Sequence, residues 1–122
     1  MESTDRPRPR QSEIWLTAFG AARAGEPGKN CPAIVVSADG QFSGSIHDLV
    51  VMVPLSTNLQ STPTRPTISP TPSNGLAAES VIVVRAVRGM ATSRLVRRLG
   101  VVDRSVVEQI QEILVALLDL PD

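Results

Sequence analysis

The side chains most able to do chemistry in this 122-residue chain fall in three places. The Gly- and Pro-rich stretch GAARAGEPGKNC, residues 20–31, holds Arg23, Glu26, Lys29 and Cys31. Two hydroxyls, Ser56 and Thr57, stand side by side at the end of the apolar run DLVVMVPL. Six arginines, among them Arg85 and Arg88, recur between positions 85 and 104. A guanidinium presents its donors as a rigid fork that matches phosphate, so eleven Arg among twelve basic residues suit phosphate contacts. The codon bias of a GC-rich genome gives the same excess. Cys31 is the only cysteine, which excludes an intrachain disulfide and a multi-cysteine metal site. It reads either as a reactive nucleophile or, with no Cys–His partnership in the local sequence, as a small residue before Pro32. His47, the sole histidine, lies beside Asp48 and is a candidate general base. A lone loop histidine is more often a surface residue, and Ser-Thr after an apolar run is, taken alone, turn chemistry.

Positioning such groups requires a scaffold, and 122 residues allow one hydrophobic core rather than two. Residues 1–11, MESTDRPRPRQ, read as a flexible basic arm, and residues 12–122 as a single domain. Short apolar, β-branched runs at 13–19, 32–37, 48–55 and 79–87 predict strands. Residues 20–31 form a long irregular loop of the kind that carries sites, and 38–47 a second loop. Four prolines at 63, 66, 70 and 72 restrict any strand near 64–69 to a short one at an edge. Over 92–99, TSRLVRRL sets Leu95, Val96 and Leu99 against Arg94, Arg97 and Arg98, which predicts a short helix with a solvated arginine face. Ser105 to Glu108 has the spacing of a capping box, and Val106, Ile110, Ile113 and Leu117 follow at helical intervals, so an amphipathic helix is expected to close the chain. Strands followed by helices, with little alternation, indicate an α+β fold with helices packed on an antiparallel, barrel-like sheet.

Formal net charge is zero, so composition as a whole does not announce a nucleic-acid binder. Its distribution is uneven. Arg6, Arg8, Arg10 and the arginines from 85 to 104 make a basic body, while the last eighteen residues carry Glu108, Glu112, Asp119, Asp122 and no base. No apolar run approaches the roughly 20 residues that cross a membrane, and the Arg/Pro-rich start lacks the apolar stretch of a signal peptide. The expectation is a soluble cytoplasmic protein with no membrane partner.

Four segments in order, spanning roughly residues 10–120, resemble the MazF/PemK toxin family. Arg10-Gln-Ser-Glu-Ile-Trp15 is similar to the family's Arg-Gly-Asp/Glu-Ile/Val-Trp opening strand, with one extra step and Ser12 in place of glycine. Residues 25–37, GEPGKNCPAIVVS, resemble its Glu-containing loop leading into Arg-Pro-Ala-Val-Val-Ser. Val53-Pro54-Leu55-Ser56-Thr57-Asn58 is similar to its Val-Pro-Leu-Thr/Ser-Ser/Thr-Asn segment, and the fourth match runs from Glu79 through Arg88 to the final helix. The resemblance implies a small SH3-like antiparallel β-barrel with a short helix and a C-terminal helix, the MazF/CcdB-like fold, assembled as a homodimer. It further implies the toxin of a type II toxin–antitoxin pair, cutting single-stranded RNA at a short sequence with no metal or other cofactor. The products are a 2′,3′-cyclic phosphate and a 5′-OH, and the partners are RNA and a cognate antitoxin whose disordered tail blocks the same groove.

Carried onto this sequence, the resemblance makes Cys31 and Ser56 the catalytic positions. Arg23, Glu26, Lys29, Thr57, Arg85 and Arg88 become RNA-binding or supporting residues. Two departures stand out. Position 31 holds cysteine where relatives keep an arginine that contacts the scissile phosphate, and the strand end Asp/Glu-Gln-Val/Ile-Arg/Lys reads Arg85-Ala86-Val87-Arg88. A thiol cannot hold a phosphate through two parallel N–H bonds, so impaired cleavage is expected unless Lys29 or Arg23 takes over. Two other readings of the scaffold stay open: a non-catalytic antitoxin- or RNA-binding protein, and a protein-directed, gyrase-type toxin.

Overall fold

The computed structural model describes residues 8–20, 30–40, 42–43 and 48–121. Among the described residues seven strands and one α-helix follow in the order β1 (Glu13–Ala18), β2 (Asn30–Val35), β3 (Leu49–Ser56), β4 (Thr67–Ile68), β5 (Ser80–Ile82), β6 (Arg88–Ala91), β7 (Leu95–Val101) and α1 (Arg104–Leu118). All pairings are antiparallel, in the spatial order β4-β5-β3-β2-β1-β7, with β6 also on β3.

The eight-residue β3 is the hinge of this sheet. Along one side it pairs with β2, Val35 facing Met52 and Ala33 facing Pro54. Along the other side, residues 49–52 pair with β6 and residues 55–56 with β5. Pro54 has no N–H to give and sits where β3 changes partner, a position at which a proline costs a strand little. Its carbonyl still accepts from the Val83 N–H at 2.9 Å.

Alternation along the strands sends side chains to two clusters. On one side Ile14, Ile34, Val53, Leu55 and Ile82 pack with Val107 and Ile110 of α1. On the other, Ala33, Val35, Val50, Met52, Met90 and Leu95 pack with Trp15, Phe19 and Phe42. Met90 and Leu95 lie on opposite margins of the sheet yet share this second cluster, so the sheet curls into a half-barrel around it. The expected α+β barrel-like sheet with a C-terminal helix is therefore present.

Three local expectations are corrected. Residues 92–99 form no α-helix: Thr92–Arg94 is a single 3₁₀ turn, and the remainder is β7, paired with β1 from Thr17↔Leu95 to Glu13↔Val101. Two register shifts interrupt that ladder and break strict alternation, leaving Leu95 and Leu99 at a helix-like interval. The apolar run 79–87 is not one strand either. β5 ends at Ile82, a 3₁₀ turn spans Val84–Ala86, and β6 begins at Arg88. Val84, the first residue of that turn, is fully buried, so the run reflects burial rather than extended pairing. Finally, α1 starts two residues earlier than a capping box from Ser105 to Glu108 requires. Asp103 is its N-cap, and Glu108 pairs with Arg104 one turn away at 3.5 Å.

The expected short edge strand near 64–69 is β4, two residues long at the end of the sheet. Of the N-terminal arm, residues 1–7 lie outside the described residues. Pro9 is buried, and the Arg10 N–H donates to Glu13 Oε1 at 2.8 Å. Among the described residues no helix is long and apolar enough to cross a membrane.

Candidate ribonuclease site

Cys31 enters through β2, where it pairs with Thr17 of β1. Directly opposed residues in antiparallel strands face the same way. Thr17 is fully buried and its hydroxyl reaches Met52 Sδ at 3.8 Å, so Cys31 projects to the side of the second cluster, away from α1. The thiol is half-buried.

Ser56 ends β3. The β2–β3 pairing stops at Ala33↔Pro54, and two residues beyond it along each strand come Cys31 and Ser56. Both keep the alternation that places Ala33 and Met52 in the second cluster. The two positions singled out in the sequence, 25 residues apart, are thus brought to one end and one side of adjacent strands. Ser56 Oγ accepts the Asn58 N–H at 3.1 Å. A hydroxyl has one hydrogen and two lone pairs, so this contact leaves the hydrogen available to a phosphate oxygen. Thr57 follows and is exposed.

Arg88 begins β6 opposite Met52 and so shares its side of the sheet. Its guanidinium carbon lies 5.4 Å from the centre of the Phe19 ring, close enough for a cation–π contact. β6 and the end of β1 are not neighbours in the sheet, and the curl brings them together. Arg88 remains exposed, a fixed positive charge on the margin of the face that carries Cys31. Arg85 is exposed on the turn after β5. Arg23, Glu26, Lys29 and His47 lie outside the described residues.

Sequence reasoning passed over three groups. Arg94, expected on a helix, instead lies against Gly20, where a Cβ would meet its Nη1 at 3.2 Å, at the point where the long loop leaves β1. Phe19 supports Arg88, a contact that depends on sheet curvature and has no local signature. Arg65 reaches back to the segment after Ser56, and its only sequence signal was an arginine isolated in a Pro/Thr stretch. A further arginine, Arg98, does not contribute free charge: its Nε donates to Glu13 Oε2 at 3.0 Å, while Glu13 Oε1 accepts the Trp15 indole N–H. Among the described residues no group of three His, Cys, Asp or Glu side chains is placed to hold a metal ion. A hydroxyl donor and a guanidinium on the side of the sheet that carries position 31 can stabilise charge on a phosphate; they do not themselves supply a base.

Residues 10–118 match the family described as PemK-like, MazF-like toxin of type II toxin-antitoxin system. Endoribonuclease MazF9 of Mycobacterium tuberculosis is 30% identical over 115 residues, covering 91% of this chain and 97% of that protein. Among solved structures, a MazE-MazF crystal structure from Deinococcus radiodurans superposes with a TM-score of 0.76 at 20% identity, covering 94% of this chain and 99% of the other. An endoribonuclease in complex with its cognate antitoxin from a mycobacterial species gives 0.68 at 21% identity, covering 93% and 98%. These two likenesses establish the half-barrel with its C-terminal helix.

Proposed function

The chain belongs to the MazF-type endoribonuclease family of toxin–antitoxin systems, and from that premise we propose that it acts on single-stranded RNA at a short sequence without a metal. The observation that carries this reading is the convergence of position 31, Ser56 and Arg88 on one side of the curled sheet. Cleavage uses the RNA's own 2′-OH: its oxygen attacks the adjacent phosphorus, the P–O5′ bond breaks, and a 2′,3′-cyclic phosphate and a 5′-OH result. A proton leaves the 2′ oxygen and one is delivered to the 5′ oxygen. Charge builds on the non-bridging oxygens in between, and the Ser56 hydroxyl and Arg88 guanidinium are suited to meet it.

Cys31 weakens this machinery. Losing one preorganised charged contact to a transition state costs on the order of 3 kcal/mol, about a hundredfold in rate. The sequence offers Lys29 and Arg23 as cations for the role, and Arg94 lies against Gly20. In this reading RNA lies across a groove between two copies of the chain, and a cognate antitoxin occupies that groove with a disordered tail; a mycobacterial relative solved in complex with its cognate antitoxin supports an antitoxin as partner. The protein works in the cytoplasm.

The test is cleavage of a long mixed-sequence RNA in the presence of EDTA by this chain and by Cys31→Arg, with new 5′ ends mapped. The expected result is cutting at one short motif, at least about a hundredfold faster for Cys31→Arg. Cys31 itself favours a second reading, a non-catalytic antitoxin- or RNA-binding protein, and RNA binding without cutting by either chain would select it.

A further inference from the structure

Residues 57–61, directly after Ser56, are nearly without backbone support. Among the described residues their hydrogen bonds are three: the Asn58 N–H to Ser56 Oγ at 3.1 Å, Arg65 Nε to the Gln60 carbonyl at 2.9 Å, and Arg65 Nη2 to the Asn58 carbonyl at 3.2 Å. Two of the three come from one side chain.

Arg65 itself is held firmly. Its N–H donates to the Thr62 carbonyl at 2.9 Å. The carbonyls on either side of it, those of Thr64 and Pro66, accept from Val84 at 3.3 Å and from Ile82 at 2.8 Å. Ile82 and Val84 are buried in the cluster beneath α1. The rigid core thus ends in a guanidinium fork that spans two carbonyls of an otherwise loose segment.

We propose that Arg65 is a positioning residue for the Ser56 hydroxyl, acting through the turn that its fork pins in place. Fixing the Asn58 and Gln60 carbonyls fixes the Asn58 N–H between them and Ser56. That N–H occupies one lone pair of Oγ and directs the hydroxyl hydrogen elsewhere, toward the side of the sheet where Cys31 projects. A planar fork bridges two carbonyls in a fixed geometry, whereas an ammonium with three rotatable donors on a flexible stem holds them less rigidly. This inference rests on the nuclease reading for the use made of Ser56, and on the hydrogen bonds alone for the tether.

The test compares Arg65→Met, which keeps the apolar stem, with Arg65→Lys, which keeps the charge. Amide exchange comes first, in the absence of RNA. The Asn58 amide is expected to exchange about tenfold faster or more in Arg65→Met, and by an intermediate factor in Arg65→Lys, while β1 and β2 amides keep their rates. Unchanged exchange at Asn58 overturns the proposal whatever the protein does to RNA. Cleavage is read next in the Cys31→Arg chain. There Arg65→Met is expected to lower kcat by about 10- to 100-fold with KM nearly unchanged, and to add nothing once Ser56 is replaced by Ala. An equal loss with and without the Ser56 hydroxyl means that Arg65 does not act through it, and the proposal falls. If no chain cuts RNA but the Asn58 amide loosens, the tether stands and the nuclease reading has failed.

Discussion

Cysteine at position 31 concentrates the chemical tension of this chain in one side chain. The strand pairing that delivers it, Thr17↔Cys31 on one side and the end of the β2–β3 ladder on the other, has no need of a particular residue there. The pairing is compatible with arginine as well as cysteine, and Cys31→Arg is expected to cleave RNA faster with no other change. Ser56→Ala in that background is expected to lose between about tenfold and a hundredfold in kcat, the usual effect of deleting one hydrogen-bond donor to developing charge, with little loss of fold stability. A second residue with a local cost is Ser12, which adopts a φ of 80°. Its backbone is held on both sides: its N–H donates to the Val35 carbonyl and its carbonyl accepts from Val102, each at 2.9 Å. A side chain in the left-handed region costs roughly 1–2 kcal/mol, part of which glycine gives back as unfolded-state entropy. Ser12→Gly should raise stability by about 0.5–1 kcal/mol in chemical denaturation, and a drop would show that the serine side chain contributes more than its strain.

At the scale of elements, β1, β2, β3 and α1 were legible in the sequence because each holds enough apolar residues with one clear period. β6 and β7 were not. The register shifts between β1 and β7 remove the two-residue alternation from Leu95 to Val101, and a short strand with misplaced period is indistinguishable from a helix turn by pattern alone. For the site, residue types were readable and placement was not. Arg88 was visible as a candidate, but its contact with Phe19 follows from curvature that no local pattern encodes. Arg94 was assigned to the wrong element, and Arg65 carried no motif. Gly100 shows how tightly β7 is seated. A Cβ there would overlap the Ser73 carbonyl and the Asn74 backbone, and Asn74 is 3% exposed with its side chain bonded to Thr71, Leu76 and Ser69. Gly100→Ala is expected to destabilise the protein by about 3 kcal/mol or more, because backbone rather than a flexible side chain must move. A thermal midpoint close to that of the parent would contradict this account of the seat.

For the whole molecule, the decisive feature is one sheet serving two clusters. Ile110 anchors the helix side and Met52 the concave side, each fully buried, and β3 contributes to both through Met52 and Val53. The two sides should therefore unfold together. Ile110→Ala and Met52→Ala are each expected to cost about 2–5 kcal/mol and to lower the same single transition; two separable transitions would show that the clusters are independent. The same construction explains why the candidate site is a matter of the assembled sheet. Cys31, Ser56 and Arg88 come from β2, β3 and β6 and reach the same side of the sheet only once the strands pair. In the proposed chemistry the RNA supplies its own nucleophile. This is tested most directly with an oligoribonucleotide carrying the mapped site and a single 2′-deoxy substitution at the nucleotide 5′ to the cut, given to Cys31→Arg in EDTA. The account predicts cleavage of the all-ribose strand to a 2′,3′-cyclic phosphate and no cleavage of the substituted one, whereas equal cleavage of both would contradict it.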